Sequence, residues 1–315
     1  MSPPEVSIPT HAVGRRASAL RVPRLSYRWR IRLWGMAFVS PTILFFIGFK
    51  YGPMLWAMGL SFTSYDMMKP PRFVGIENYR SIVADPIFIQ ALENTLVYIV
   101  ASTVLITGVA LALALALRTR IRGTRVCMSA MFLTNIMPII AVCLVWRFLF
   151  HPHGLVNQLL HPFGVGRIDW LTSGATAMAA IVIVTVWRFA PYFMVVFFAA
   201  LLAIPREYYE AAAIDGSGAW QRFRSITLPL LTPVLFFVVV VSALLSARIF
   251  LMPFIITGGG PGGATRVLSM LIYETGFSYM KMGRAAAISV VLFAIVMVFT
   301  IVQMRLFMTR EEDYT

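Results

Sequence analysis

Six nearly uncharged apolar stretches, each long enough to cross a bilayer, constrain this chain more than any other feature. They run from about Trp34 to Phe62, Leu96 to Leu117, Met128 to Phe150, Ala177 to Leu202, Pro233 to Ile256 and Ala285 to Phe307. A helix needs about 20 residues to cross roughly 30 Å of hydrocarbon. The expected fold is therefore all-α, a polytopic membrane protein with six transmembrane helices. Lys50, Gly52 and Pro53 interrupt the first stretch, but the run resumes through Met54, Leu55 and Leu60. No small-residue cleavage pattern follows, so it reads as an uncleaved helix. With 59% hydrophobic and 13% charged residues, the composition excludes a soluble globular protein.

The net charge of +14 would suit a nucleic-acid binder, but the basic residues gather at the ends of the apolar stretches. Membrane lipids are the expected partner, and nucleic acid is not. Arg15, Arg16, Arg21, Arg24, Arg28, Arg30 and Arg32 precede the first stretch, Arg118, Arg120, Arg122 and Arg125 lie between the second and third, and Arg305 and Arg310 close the chain. The positive-inside rule puts these in the cytoplasm, with both termini, and makes 63–87 and 151–176 outer loops and 203–232 an inner loop. Arg21, Arg24, Arg28 and Arg32 share one helical face opposite Leu25, Trp29 and Ile31, which fits either a helix lying on anionic headgroups or plain positive-inside bias. The expected division is a basic cytoplasmic tail over 1–33, a six-helix transmembrane domain over 34–308 with its ordered inner loop at about 204–232, and a cytoplasmic C-terminal tail over 309–315. Cys127 and Cys143 lack metal-ligand spacing and nearby histidines, so neither a disulfide framework nor a metal site is expected.

The inner loop is too ordered for a solvated connector. It runs from Ile204 and Pro205 through Glu207, Tyr208, Tyr209, Glu210, Ala211, Ala212, Ala213, Ile214, Asp215 and Gly216, then from Ala219 and Trp220 to Pro229. The pattern predicts a helix ending at Gly216 and a second short helix that Pro229 stops. Tyr208, Tyr209, Trp220 and Phe223 would expose aromatic area of the kind found in interface cores. Glu207, Glu210 and Asp215 add acids that can meet a basic partner, and Gly216 permits a tight turn.

This stretch, EAAAIDGSGAWQRFRSITLP, resembles the EAA motif of permease subunits in bacterial ATP-binding-cassette importers. Two further pieces resemble the maltose and glycerol-phosphate branch of that family. They are FVGIENYRSI at Phe73 to Ile82, followed by Asn94 and Thr95, and TGGGPGGAT at Thr257 to Thr265. The resemblance covers nearly the whole chain and implies a type I importer permease fold. It also implies the partners: a second permease subunit, cytoplasmic ATPase subunits that grip the EAA helix at Glu207, Glu210, Ala211, Ala212, Asp215 and Gly216, and an extracytoplasmic solute-binding protein. The chain's own lysines, Lys50, Lys69 and Lys281, are followed by Tyr, Pro and Met, so no phosphate-cradling loop ends in Lys-Ser or Lys-Thr. No cofactor is expected, and ATP hydrolysis falls to a separate chain. The glycines from Gly258 to Gly263 follow no strand and are interrupted by Pro261, which leaves a flexible outer loop or a plain turn.

Polar groups within apolar helices normally face a bundle interior or a water-filled path. Asn135, Arg147, Thr185, Arg188, Ser242, Ser246 and Arg248 are the candidates, with Arg147 near enough to an end to snorkel. By the resemblance to the maltose permease, Thr185, Arg188, Phe189 and Tyr192 would form one substrate-contact group and Ser242, Ser246, Ile249 and Leu251 another. Trp187, Phe189 and Tyr192 could stack on sugar faces, or could be core packing. Arg188 and Arg248 could line the path, or pair with the partner permease or Glu274. The function this implies is ATP-driven import of a carbohydrate or related polyol, with no catalytic residues. A secondary carrier would need acids in its helices, where they are scarce, and a membrane-embedded enzyme would need more than His151, His153 and His161 in one loop.

Overall fold

The computed structural model describes residues 27–118 and 123–311, and its two units are residues up to Met54 and from Leu55 onward. Arg15 and Arg16, and Arg21 and Arg24 of the basic tail face, lie outside the described residues, as do Arg120 and Arg122. In the first unit α1 (Tyr27–Phe46) runs through a π turn (Ile47–Tyr51) into the start of α2 (Gly52–Leu60), whose residues from Leu55 on belong to the second unit. The interruption at Lys50, Gly52 and Pro53 is thus absorbed within a helix. The Gly52 amide reaches back five residues to Ile47, and Pro53 sits in the next first turn, where its missing N–H leaves no bond unmade.

The second unit holds α3 (Glu77–Val83), α4 (Pro86–Arg118), α5 (Thr124–Ile136), α6 (Ile139–Leu149), α7 (Leu155–Leu160), α8 (Gly174–Ala203), α9 (Arg206–Ile214) and α10 (Ala219–Arg222). It continues with α11 (Leu228–Ala247), α12 (Leu251–Ile256), α13 (Leu268–Tyr273) and α14 (Met282–Glu311). The one departure from an all-helical chain among the described residues is a two-residue antiparallel ladder, β1 (Thr63–Ser64) with β2 (Arg72–Phe73). Five helical stretches are long and apolar enough to cross a membrane, and a bent pair makes a sixth if it is one span.

The core is the parallel pairing of α4 with α8. On α4 the buried residues Ala91, Thr95, Tyr98, Ser102, Ile106, Ala110 and Ala114 recur every three or four positions, which is one helix face. Lipid tails are as apolar as leucine, so such a face packs through small side chains and close fit rather than through water exclusion. Near the start of the two helices Tyr98 joins Ile181, Val184, Met252 and Ile256, and near their ends Ile106, Ala110 and Ala114 join Phe193, Phe197, Leu201 and Leu231. One end of the unit therefore carries residues 61–87, 150–173 and 248–281, and the other carries α9 and α10.

Three proline positions correct the expected boundaries. The third stretch is broken rather than straight, with α5 and α6 meeting at 101°. Pro138 holds Met137 in extended backbone, φ −63° and ψ 137°, which ends α5. The fifth span stops at Ala247 and not at Ile256, and α12 is a separate turn. Pro253 has no amide for the Ile249 carbonyl, and the Ser269 hydroxyl donates to it instead. Pro229, by contrast, does not stop the helix after α10. A π turn over Phe223–Thr227 shifts the hydrogen-bond register so that Leu228 N–H reaches Phe223, and the apolar span runs unbroken from Ala219 to Ala247.

Candidate functional site

α9 and its turn are built locally and leave their surface free. The Gly216 amide donates to Ala213 at 3.1 Å and the Ser217 amide to Ala212 at 2.9 Å, the paired bonds of a Schellman ending, with Gly216 at φ +76°. Tyr209 is the residue of α9 that turns inward. Its hydroxyl shares a 2.9 Å hydrogen bond with Thr227, and the Arg118 guanidinium lies 4.3 Å from its ring centre. The loop's two limbs and the end of α4 are thereby tied together. Outward, Glu207, Glu210, Ala211 and Asp215 are exposed and Ala212 is half-buried. The three acids form no ion pair among the described residues. Ile214 is 88% and Trp220 71% exposed, with Trp220 stacked on Phe223.

At the opposite end the glycine segment is not a flexible loop. Gln90 donates to the Gly262 carbonyl at 3.1 Å, Asn94 to those of Gly263 and Arg266 at 2.8 and 2.9 Å, and Thr95 accepts the Leu268 amide at 2.9 Å. Thr257 and Thr265 close the segment on itself at 2.7 Å. Gly263, at φ +82°, also faces Gln90 so closely that a Cβ would lie 2.5 Å from Oε1. Asn94 and Thr95, noticed in the sequence through a family resemblance, are thus the anchors of a segment about 170 residues further on. Glu274 pairs with Arg266 at 3.1 Å and not with Arg188 or Arg248, and Arg284 pairs with Asp85 across the starts of α14 and α4. In the adjoining loop the Lys69 amide, then that of Met68, bonds the Asp66 carboxylate, which holds its pKa below the ordinary value.

Of the candidate path residues, Thr185 is buried and bonded, sharing 2.7 Å with the Tyr98 hydroxyl and donating to Ile181 in its own helix. Thr185 also lies 3.2 Å from the sulfur of Met252 in α12. Phe189 packs between the two core clusters, and Ile249 is buried in the first of them. Ser242 is buried and donates to Val239 at 3.2 Å. Ser246 Oγ is buried with no partner among the described residues. Tyr192 and Arg248 are exposed, Leu251 is half-buried, and Trp187 packs edge-on against Trp146. Arg188 donates through Nη1 to the carbonyls of Thr134 and Met137 at 3.2 and 3.1 Å. The structure thus joins Thr185, Phe189 and Ile249 through one packed region, while Tyr192 and Arg248 stand outside it.

Comparison with known proteins agrees with this architecture. Residues 88–308 match the family described as binding-protein-dependent transport system inner membrane component. The chain is 35% identical over 294 residues to a probable ABC transporter permease, YesP, of Bacillus subtilis, spanning 92% of this chain and 94% of that one. It is 32% identical over 280 residues to the trehalose/maltose transport system permease MalF of Thermococcus litoralis, spanning 88% and 95%. A crystal structure of a bacterial ABC transporter that imports the acidic polysaccharide alginate contains a chain of the same fold, with a TM-score of 0.76 at 23% identity over 90% of this chain and 98% of that one.

The chain belongs to the binding-protein-dependent transport system inner membrane component family. It is a multi-pass membrane permease subunit of an ABC importer with the type I fold, a transport component and not an enzyme, and ATP hydrolysis belongs to a separate subunit. Family membership sets aside the secondary carrier and the membrane-embedded enzyme.

Proposed function

We propose that the chain is the transmembrane permease of an ATP-driven importer of a carbohydrate or related polyol in the cytoplasmic membrane, and that α9 and α10 form the surface on which a cytoplasmic ATPase docks. The observation that carries the docking surface is a loop held from within by Tyr209 and the Gly216 turn, yet presenting Ile214, Trp220 and three exposed acids outward. An interface core of this kind combines aromatic and aliphatic anchors with charges that steer the partner. A carbohydrate substrate is supported by the trehalose/maltose permease among its relatives.

Arginine placement supports an orientation with α9, residues 119–123 and both termini in the cytoplasm, and the glycine segment outside. The reading keeps a tail over 1–33, the permease domain over 34–308 and a tail over 309–315. It includes a second permease to complete the path and an extracytoplasmic binding protein to deliver the substrate. On the path we place Tyr192 and Arg248, which are accessible, with the orphan hydroxyl of Ser246. Thr185, Phe189, Ser242, Ile249 and Leu251 belong to its walls.

Gly216→Pro and Glu210→Lys are expected to abolish uptake while membrane insertion and protein level stay at wild type. The check is uptake by cells and ligand-stimulated ATPase activity of the purified complex over a panel of sugars and glycerol phosphodiesters. Normal uptake by both variants would sink the docking assignment, and stimulation by no member of the panel would sink the substrate class.

A further inference from the structure

The break in the third span leaves carbonyls that its own helix cannot satisfy. Thr134 O would accept the amide four residues on, but that residue is Pro138, which has none. Met137 lies in extended backbone between α5 and α6, and its carbonyl falls outside both helical ladders. Within a membrane span carbonyls of this kind need a donor, because hydrocarbon offers no water.

Both carbonyls are met by one side chain on another helix. Arg188 Nη1 lies 3.2 Å from Thr134 O and 3.1 Å from Met137 O. A guanidinium suits the place, because it complements the negative end of the α5 dipole as well as the orphan acceptors. Thr134 and Arg188 also approach at 3.5 Å, between the threonine hydroxyl and the arginine carbonyl. One helical turn before Arg188, Thr185 ties α8 to Tyr98 of α4. After Arg188, α8 runs on to Ala203, and α9 begins at Arg206 after two intervening residues.

We propose that Arg188 is a positioning residue that clamps the bent third span to α8, so that a displacement of α9 is passed to the break between α5 and α6. This rests on the reading of α9 as the docking helix. It takes Arg188 Nη1 off the substrate, because both carbonyls of the break engage it, and the break it holds is the part of the third span free to change angle. A helix interrupted in this way has two discrete arrangements within reach, which an unbroken span lacks.

The test uses the intact complex with its ATPase in nanodiscs, in a background of Cys127→Ser and Cys143→Ala. Two spin-label pairs report Arg206 at the start of α9 against Val104 of α4, and Ile140 of α6 against the same Val104; all three positions are exposed, and Arg206 is outside the residues given to the docking contact. The probe is Mg-ATP followed by vanadate. With Arg188 in place both distances are expected to shift. In Arg188→Met the shift at Arg206 persists and the shift at Ile140 is lost, and Arg188→Lys, which keeps a charged donor, recovers it. A full shift at Ile140 in Arg188→Met overturns the clamp. So does a lysine variant no better than the methionine one, since the loss would then come from packing. Absence of any shift at Arg206 with Arg188 present is a different failure, because it removes the docking reading and the clamp with it.

Discussion

The two ends of the second unit carry loops of opposite character. Residues 257–265 are knitted inward: amides and hydroxyls of Gln90, Asn94 and Thr95 on α4 occupy their carbonyls and the amide of Leu268. Residues 204–227 are held at Tyr209 and at the Gly216 turn, and otherwise face outward. Both are rich in small residues, for different reasons. Both Gly263 and Gly216 have left-handed backbone, but Gly263 also has a side chain of α4 against it, whereas Gly216 has open space around it. A loop shaped by its own protein and a loop shaped for another protein can therefore be told apart by where their polar groups find partners.

The strongest way to break this contrast is to disturb the knitted end. At the start of α14 the Gly283 amide donates to Tyr65 at 3.2 Å, and a Cβ there would run into the Thr63 main-chain carbonyl. Neither backbone can move aside without parting α14 from the ladder, so Gly283→Ala is expected to cost about 3 kcal/mol or more. Thermal unfolding of the purified complex and the yield of inserted protein check it, and an unchanged unfolding midpoint would show that this contact does not hold the end together. Next in size is Asn94→Leu, which keeps the γ-branched shape and leaves the carbonyls of Gly263 and Arg266 without their donor. Its expected cost is about 2 kcal/mol. Proteolysis within 257–265, slow in the native chain and faster in the variant, would localise the loss to that loop.

How legible these features were follows from the range over which they act. The spans, the Gly216 turn and the exposed acids are set by residues within a few positions of one another, so periodicity and charge revealed them. The break at Pro138 was written in the chain as a proline within an apolar run, but that pattern also occurs at Pro191 and Pro233, inside helices that stay continuous. What distinguishes Pro138 is a donor on a different helix, Arg188, to take up the freed carbonyls. The pairing of Asp85 with Arg284, the grip of Asn94 on the glycine segment and the need for Gly283 all join positions far apart in the chain, and leave no local pattern. The candidate path was the least legible part, because a buried serine or threonine looks the same in sequence whether its hydroxyl is bonded within its own helix, as Ser242 is, or left without a partner, as Ser246 is.

The smallest expected effect on stability comes at the outward-facing loop, and it sharpens the comparison most. Ile214 is the last residue of α9 and is 88% exposed, so Ile214→Ser removes almost no buried contact within this chain. The Schellman bonds that end the helix are main-chain bonds of Gly216 and Ser217 and survive the change. Unfolding of the isolated permease should therefore shift by no more than about 0.5 kcal/mol. If the side chain enters a cleft of the ATPase, however, the same substitution deletes a buried aliphatic anchor from the complex, and anchors of that size are worth about 1–2 kcal/mol, or roughly tenfold in affinity. Titrating the ATPase against the permease in detergent or nanodiscs measures that difference directly. Unchanged binding would place Ile214 outside the contact and leave Trp220 and the acids to carry it, whereas weaker binding with an unaltered unfolding midpoint would show that this loop's sequence answers to a partner and not to its own fold.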